Sequence, residues 1–467
     1  MRNILLIEPD YKNKYPPLGL MKISTYHKKK GDSVIFYKGF SPELRSQVWD
    51  RIYISTLFTF HWNKTIKTIK YYRNSSKHLN NIFVGGVMAT LLGDEIRKEI
   101  NINVIKGLLD QKGKLGYSDD DQIDCLLPDY SILDHSTNPL FSYKYPTFDS
   151  YFVHATRGCI HRCKFCAVPY IEPTFFNALS IFKQIDRIRK KFGDKRNLLI
   201  MDNNILASDR FTEIIDEIKE SGFKKGAKLS VKKNCRKTLL KRTVDFNQGV
   251  DVRLLNPKKM KLISEIAIEP LRIAFDFIKY EKLYKKKVWL AAEYGIKNLS
   301  NYILFNYKDT PEDFYKRLQI NIELNEEFEK RGFQTKIWSF PMKFSPISGK
   351  WCKRRDFVGK NWNKKYLRGI QCILLATHGV VGPKRNFFEA AFGKSFETFK
   401  KIITLPEAYI IYREEYEKKR KRLEKKIRKL SDRQKENLTT IILQNNFKEL
   451  KLKTSDKRIL DILKVHQ

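Results

Sequence analysis

The stretch RGCIHRCKFCAVP at 157–169 sets Cys159, Cys163 and Cys166 in a C-x3-C-x2-C spacing. Three thiolates on one short loop suit a [4Fe–4S] cubane, each sulfur holding one iron. The fourth iron then has no protein ligand and offers an open coordination site. A structural zinc instead takes four ligands, commonly from paired cysteine groups. The chain has no second CxxC, so zinc would have to recruit His154 or His161, and His161 lies inside the tight loop itself. The other cysteines, Cys125, Cys235, Cys352 and Cys372, are scattered and expected to be inert, although Cys235 is also readable as a reactive thiol or sulfur donor. Seven cysteines are an odd number, and no export signal accompanies them, which favours metal binding over a disulfide framework.

The elements that position this loop read as two βα series. Apolar runs at 4–7, 34–37, 52–55 and 82–84, with a short fifth at 104–105, predict buried parallel strands. Helical stretches at 18–30 and 63–73 separate them, giving a doubly wound, flavodoxin-like α/β domain over 1–110. Gly85 and Gly86 follow the fourth strand, where glycine lets a ligand approach the backbone. Residues 111–148 read as a linker. A second series runs over 149–345, with strands expected at 151–156, 198–201, 243–246, 271–275, 302–305 and 335–340. Helices are expected between them at 178–191, 210–220, 281–294 and 311–331. Six βα units predict a partial (β/α)6 barrel, with chemistry at the carboxyl ends of its strands. From 346 to 467 the pattern turns helical and basic, with one charged helix expected over 412–436.

The cysteine motif resembles the C-x3-C-x-aromatic-C signature of the radical S-adenosylmethionine (SAM) superfamily, with Phe165 as the aromatic. The resemblance implies an open iron that binds the amino and carboxylate groups of SAM. It also implies one-electron cleavage of SAM to methionine and a 5′-deoxyadenosyl radical. In MDNNIL at 201–206, Asp202 and Asn203 are candidates to receive the SAM amino group, or else a helix cap or turn. In FNQGVDVRLL at 246–255, Arg253 is a candidate partner for a carboxylate, or for a structural ion pair with Asp276. The family's Gly-Gly-Glu pattern is missing after the second barrel strand. Residues 16–39 and FVGGVMAT at 83–90 resemble the cobalamin-binding domain that precedes many such barrels, which suggests Gly85, Gly86 and Thr90 as corrinoid contacts. The D-x-H-x-x-G motif that supplies a cobalt ligand is absent, and neither His61 nor His135 stands in its context. The domain therefore either holds cobalamin without a histidine ligand or is vestigial.

Net charge is +39, from 91 basic and 52 acidic residues. Such a field attracts polyanions, of which nucleic acid is the commonest, although a Lys-, Asn- and Ile-rich composition accounts for it equally. Two segments sharpen the question. Residues 223–242 carry nine Lys or Arg and no acid, and read as a solvated loop or a phosphate guide near the barrel mouth. Residues 338–371 interleave aromatics with cations, which suits base stacking or packing against the barrel. No apolar run is long enough to cross a membrane, and MRNILLIEPD reads as a first strand, not a signal peptide. The expectation is a cytoplasmic radical SAM enzyme with a [4Fe–4S] cluster and SAM, served by a reductant such as flavodoxin or ferredoxin, and with cobalamin as well if the N-terminal domain is not vestigial. Methylation, methylthiolation and rearrangement are all open as the reaction, with methyl transfer to an unactivated carbon favoured. The alternative is a non-catalytic nucleic-acid-binding protein with a structural metal site.

Overall fold

The computed structural model describes residues 1–116, 122–177, 179–233 and 236–466; Cys235, and Ala178 at the expected start of a barrel helix, lie outside the described residues. Packing divides the chain into two compact units, Met1–Leu271 with Ser345–Phe357, and Arg272–Phe344 with Val358–Gln467.

The first unit opens with five strands: β1 (Asn3–Glu8), β2 (Ser33–Lys38), β3 (Arg51–Thr56), β4 (Ile82–Gly86) and β5 (Asn103–Ile105). They form one parallel sheet in the order β2-β1-β3-β4-β5, the flavodoxin-like arrangement expected. The inner strand β1 is buried from Ile4 to Glu8, which is why its sequence is a continuous apolar run and not an alternation. Leu5, Ile7, Ile52, Ile54, Ile82 and Val84 pack with Ile66 and Ile69 of the helix Trp62–Tyr72 in one core. Each such side chain contributes about 1.5–3 kcal/mol when fully buried.

The stretch expected as a linker is packed where it is described. Leu115, Ile123, Tyr130, Ile132, Phe141 and Tyr145 are buried. Tyr145 donates to Glu8 at the end of β1, and Asn138 donates to the Phe36 carbonyl.

Three strands of the second βα series follow. The run expected over 151–156 splits into β6 (Ser150–Val153) and β7 (Thr156–Arg157), and β7 pairs antiparallel with β8 (Phe176–Asn177). β9 (Asn197–Ile200), a hairpin of β10 (Lys228–Lys233) and β11 (Arg236–Lys241), and β12 (Thr243–Phe246) complete the set. β6, β9 and β12 form a parallel sheet in chain order.

The hairpin corrects the reading of 223–242 as a loop near the mouth. Arg196 Nε donates to the Lys241 carbonyl at 2.9 Å, Arg242 pairs with Asp194, and Lys241 pairs with Glu269. Residues 194–196 precede β9, so the hairpin stands at the amino ends of the strands, away from the carboxyl ends. A helix-to-strand connection in a parallel βα fold must lie at that end, because the strand begins there.

The second unit contains β13 (Leu271–Ala274, less its first residue), β14 (Asn298–Phe305) and β15 (Lys336–Lys343), ordered β13-β14-β15. With β6, β9 and β12 they give the six strands expected in chain order, three in each of two sheets. The fully buried Arg317 donates to the carbonyls of Phe275, Asp276 and Leu304 and pairs with Asp309 at 2.7 Å, which satisfies strand-end groups that would otherwise be orphaned.

Beyond 358 the chain is helical. The expected single charged helix is two, Glu417–Arg428 and Asp432–Gln444, because Ser431 and Gln434 form a reciprocal capping box that starts the second. The aromatic–cation segment is divided too. Trp362 is buried against Phe305 and Phe314 in the second unit. In the first unit, Lys353 lies 3.7 Å from the Trp62 ring centre and Arg355 4.1 Å from that of Phe60. These cations stack on the protein's own aromatics. No helix is long and apolar enough to cross a membrane among the described residues.

Candidate functional site

The cysteine loop leaves β6 through a break at His154 and Ala155. The break has a cause at the next strand end. Asp202 Oδ1 accepts from Ala155 N at 2.8 Å, and its Oδ2 accepts from Thr156 N and Oγ1, each at 2.6 Å. These donors are thereby drawn out of the sheet ladder. Burial pushes the Asp202 carboxyl up to about 7, against the three donors, which favour its ionised form.

The β7–β8 ribbon closes the base of the loop. Gly158 follows it at φ +76°, and a Cβ there would stand 2.2 Å from the Thr174 carbonyl oxygen, so only glycine fits. Arg157 anchors the same turn. Its guanidinium reaches Glu172 Oε1 at 3.2 Å and both oxygens of Asp124 at 2.5 and 2.7 Å. Glu172 Oε2 accepts from Gly158 N at 2.5 Å and from Asn203 Nδ2 at 2.8 Å. Asp124 also pairs with Lys22 at 2.9 Å. Burial works to raise its pKa, but Lys22 and Arg157 hold it well below the usual carboxylate range.

Cys159, Cys163 and Cys166 are half-buried thiols on this loop. Donors point at their sulfurs: His161 N lies 3.4 Å and Asn204 Nδ2 3.5 Å from Cys159 Sγ, and Val168 N lies 3.5 Å from Cys166 Sγ. Such contacts suit thiolates, which accept hydrogen bonds and do not donate them. Phe165 is half-buried between the second and third cysteines. No three histidine, cysteine, aspartate or glutamate side chains stand together so as to hold one metal ion among the described residues. A cubane takes each thiolate on a different iron. The donor set and its N–H partners therefore fit an iron–sulfur cluster.

The other candidates are placed as follows. Asp202 holds Ala155 and Thr156 just ahead of the cysteine loop, and Asn203 reaches its base only through Glu172. Arg253 donates to Asp251 at 2.8 and 2.9 Å, while Asp276 belongs to the second unit. Asp251 Oδ2 is 2.7 Å from His161 Nε2, close enough for an ion pair when the imidazole is protonated but not aligned as a hydrogen bond. Burial works to raise the Asp251 pKa; Arg253 and His161 bring it below the usual range. Arg253 thus joins the loop through Asp251. Burial lowers the pKa of His154 far enough to keep its imidazole neutral.

At the β4 end, Gly86 has φ +107°, and a Cβ there would stand 2.3 Å from the Thr56 carbonyl oxygen. Thr90 Oγ1 donates to the Gly86 carbonyl at 2.9 Å and accepts from Gly107 N at 3.0 Å. Gly85 would place a Cβ at ordinary contact with Ile105. Gly86 is exposed at the strand's carboxyl end, so the backbone there is open to a ligand.

Sequence reasoning missed Asp124, Arg157, Glu172 and Asn204. Only Asn204 had a local signal, as the third polar residue of the run that already named Asp202 and Asn203.

No protein-family model matches the sequence, and no curated protein matches it. Among solved structures, the chain is similar to the radical S-adenosylmethionine methyltransferase TsrM from Kitasatospora setae. With tryptophan substrate and the SAM analogue aza-SAM bound, that structure gives a TM-score of 0.50 at 11% identity, covering 80% of this chain and 76% of that one. The same enzyme with cobalamin and a [4Fe–4S] cluster gives 0.49 at 11% identity, covering 74% and 75%. At this identity the likeness is one of fold.

Proposed function

We propose that this chain is a radical SAM enzyme whose cluster is held by Cys159, Cys163 and Cys166, and that it transfers a methyl group with the help of cobalamin. The observation that carries the reading is the loop itself: three thiols on a strand-end turn, with N–H groups directed at sulfur and with Asp202, Asn203 and Asn204 gripping it from the next strand end. When bound, the [4Fe–4S] cluster would supply the open iron and the electron for SAM cleavage.

The chain's own residues do the rest. Arg157 and Glu172 fix the turn, and Asp202 sets where the loop leaves the sheet. Arg253, through Asp251, offers a cation beside the loop for a carboxylate. Residues 149–345 are the barrel on this reading. Residues 1–110 are a corrinoid-type domain, with Gly85, Gly86 and Thr90 at its open strand ends. A cytoplasmic setting and an acidic electron carrier of the flavodoxin or ferredoxin class suit a reduced cluster and a basic protein. Methyl transfer is the reading that suits a fold like that of a radical S-adenosylmethionine methyltransferase.

Anaerobic reconstitution tests the reading. About four irons per chain are expected, followed by SAM cleavage under dithionite and methyl transfer only when corrinoid is supplied. A lone zinc, or iron that survives replacement of all three cysteines, overturns it.

A nucleic-acid partner has its own support in the basic hairpin. That support is the density of lysine and arginine along β10 and β11, which carry no acidic residue. Binding of an RNA or DNA oligonucleotide should then weaken steeply with salt. It should also fall more for a Lys228→Ala/Lys237→Ala/Lys241→Ala variant than for three lysine changes on the helix Glu417–Arg428.

A further inference from the structure

Asn204 is 4% exposed, and its two amide ends have opposite fortunes. Nδ2 lies 3.5 Å from Cys159 Sγ. Oδ1 is buried and has no hydrogen-bond partner. A buried polar atom left unpaired costs about 1–3 kcal/mol, so the arrangement needs a reason. Turning the amide over does not supply one, because Oδ1 would then face a thiolate, acceptor against acceptor. The orientation is set by the sulfur, and the unpaired oxygen is its consequence. The backbone donors at His161 and Val168 come with the loop's own turns. Asn204 comes from the end of β9, a separate element, so its contact can change without rebuilding the loop.

We propose that Asn204 sets the reduction potential of the cluster, by donating a hydrogen bond to the Cys159 thiolate. This inference rests on the proposed cluster. Reduction adds one electron, and part of the added charge falls on the ligand sulfurs. An N–H directed at one of them stabilises the reduced form more than the oxidised form, and so raises the potential. Asn204 is a positioning and tuning residue here, and is assigned no contact with substrate.

The experiment is a redox titration, followed by electron paramagnetic resonance, of reconstituted full-length protein without SAM. Wild type is compared with Asn204→Leu, which removes the donor at similar volume, and Asn204→Asp, which replaces it with an acceptor of the same shape. Both variants should keep the wild-type iron content. Asn204→Leu should lower the reduction equilibrium by about tenfold, a shift of about 59 mV for a one-electron couple. Asn204→Asp should lower it further. Equal midpoints in all three proteins at equal iron content overturn the role of Asn204 and leave the cluster standing. A wild-type protein that binds no iron overturns the cluster, and this inference with it. If Asn204 only packs the loop, the variants lose iron or stability while the midpoint of the remaining cluster stays at the wild-type value.

Discussion

Two strand ends of the first unit attract the same attention in sequence, and the structure treats them differently. At the end of β4, Gly86 and Thr90 are engaged by the domain's own backbone: Gly86 lets the chain pass the Thr56 carbonyl, and Thr90 joins Gly86 to Gly107. At the end of β6, the polar side chains also bond to backbone, but what they hold is a loop with three thiols and N–H groups directed at sulfur. A glycine or threonine at a strand end meets a requirement of the fold whether or not a ligand binds there. An amide aimed at a thiol, with its oxygen left unpaired, meets no such requirement. The second site therefore carries a chemical argument, while the first carries one of shape.

The comparison can be broken most sharply at the cysteines. Replacing Cys159, Cys163 and Cys166 by alanine should abolish iron uptake, from about four atoms to none, by iron analysis after reconstitution, and leave any corrinoid binding to the N-terminal sheet intact.

Next come the two glycines. Gly158→Ala and Gly86→Ala each force a Cβ against a carbonyl at positive φ and should each cost about 3 kcal/mol or more in denaturant unfolding. Only the first should also lower iron content. If Gly86→Ala removes iron as well, the two sites are not separable.

A similar but pH-dependent effect belongs to the N-terminal sheet alone. His27 is fully buried between Asp32 and Tyr53, and burial pushes its imidazole down to about 4. The unfolded chain takes up that proton near pH 6.5, so the folded state loses stability as pH falls from about 6.5 to about 4, by up to about 3 kcal/mol. Urea unfolding at stepped pH should show the loss with or without cluster.

The smallest effect is expected at Thr90→Val, which removes two hydrogen bonds at the β4 end and should cost about 1 kcal/mol. A much larger loss of corrinoid affinity than of stability would give that threonine a ligand contact as well.

The inner strands of the N-terminal sheet, β1, β3 and β4, were legible because they are largely buried on both faces and read as unbroken apolar runs; the observed strands extend the expected ones by a residue or two. The hairpin was missed although its alternation is present in Lys228, Leu229, Ser230, Val231 and Lys232, because the charge of the segment drew the reading toward a loop. The split of the charged C-terminal helix was also written locally, in Ser431 and Gln434. Glu172 and Asp124 had no such signal. They reach Arg157 from 15 and 33 residues away, and nothing in their neighbours marks them.

Local spacing alone determined the three thiols, their shared loop and the βα alternation around them, because ligand count and strand period are properties of adjacent residues. Tertiary structure decided the strand order, the end of the sheet at which the basic hairpin lies, and the contacts that Asp202 and Asn204 make with Ala155 and Cys159, 47 and 45 residues earlier in the chain. Those outcomes depend on which strand ends become neighbours, and parallel pairing across a crossover leaves that choice to the packing of the whole sheet.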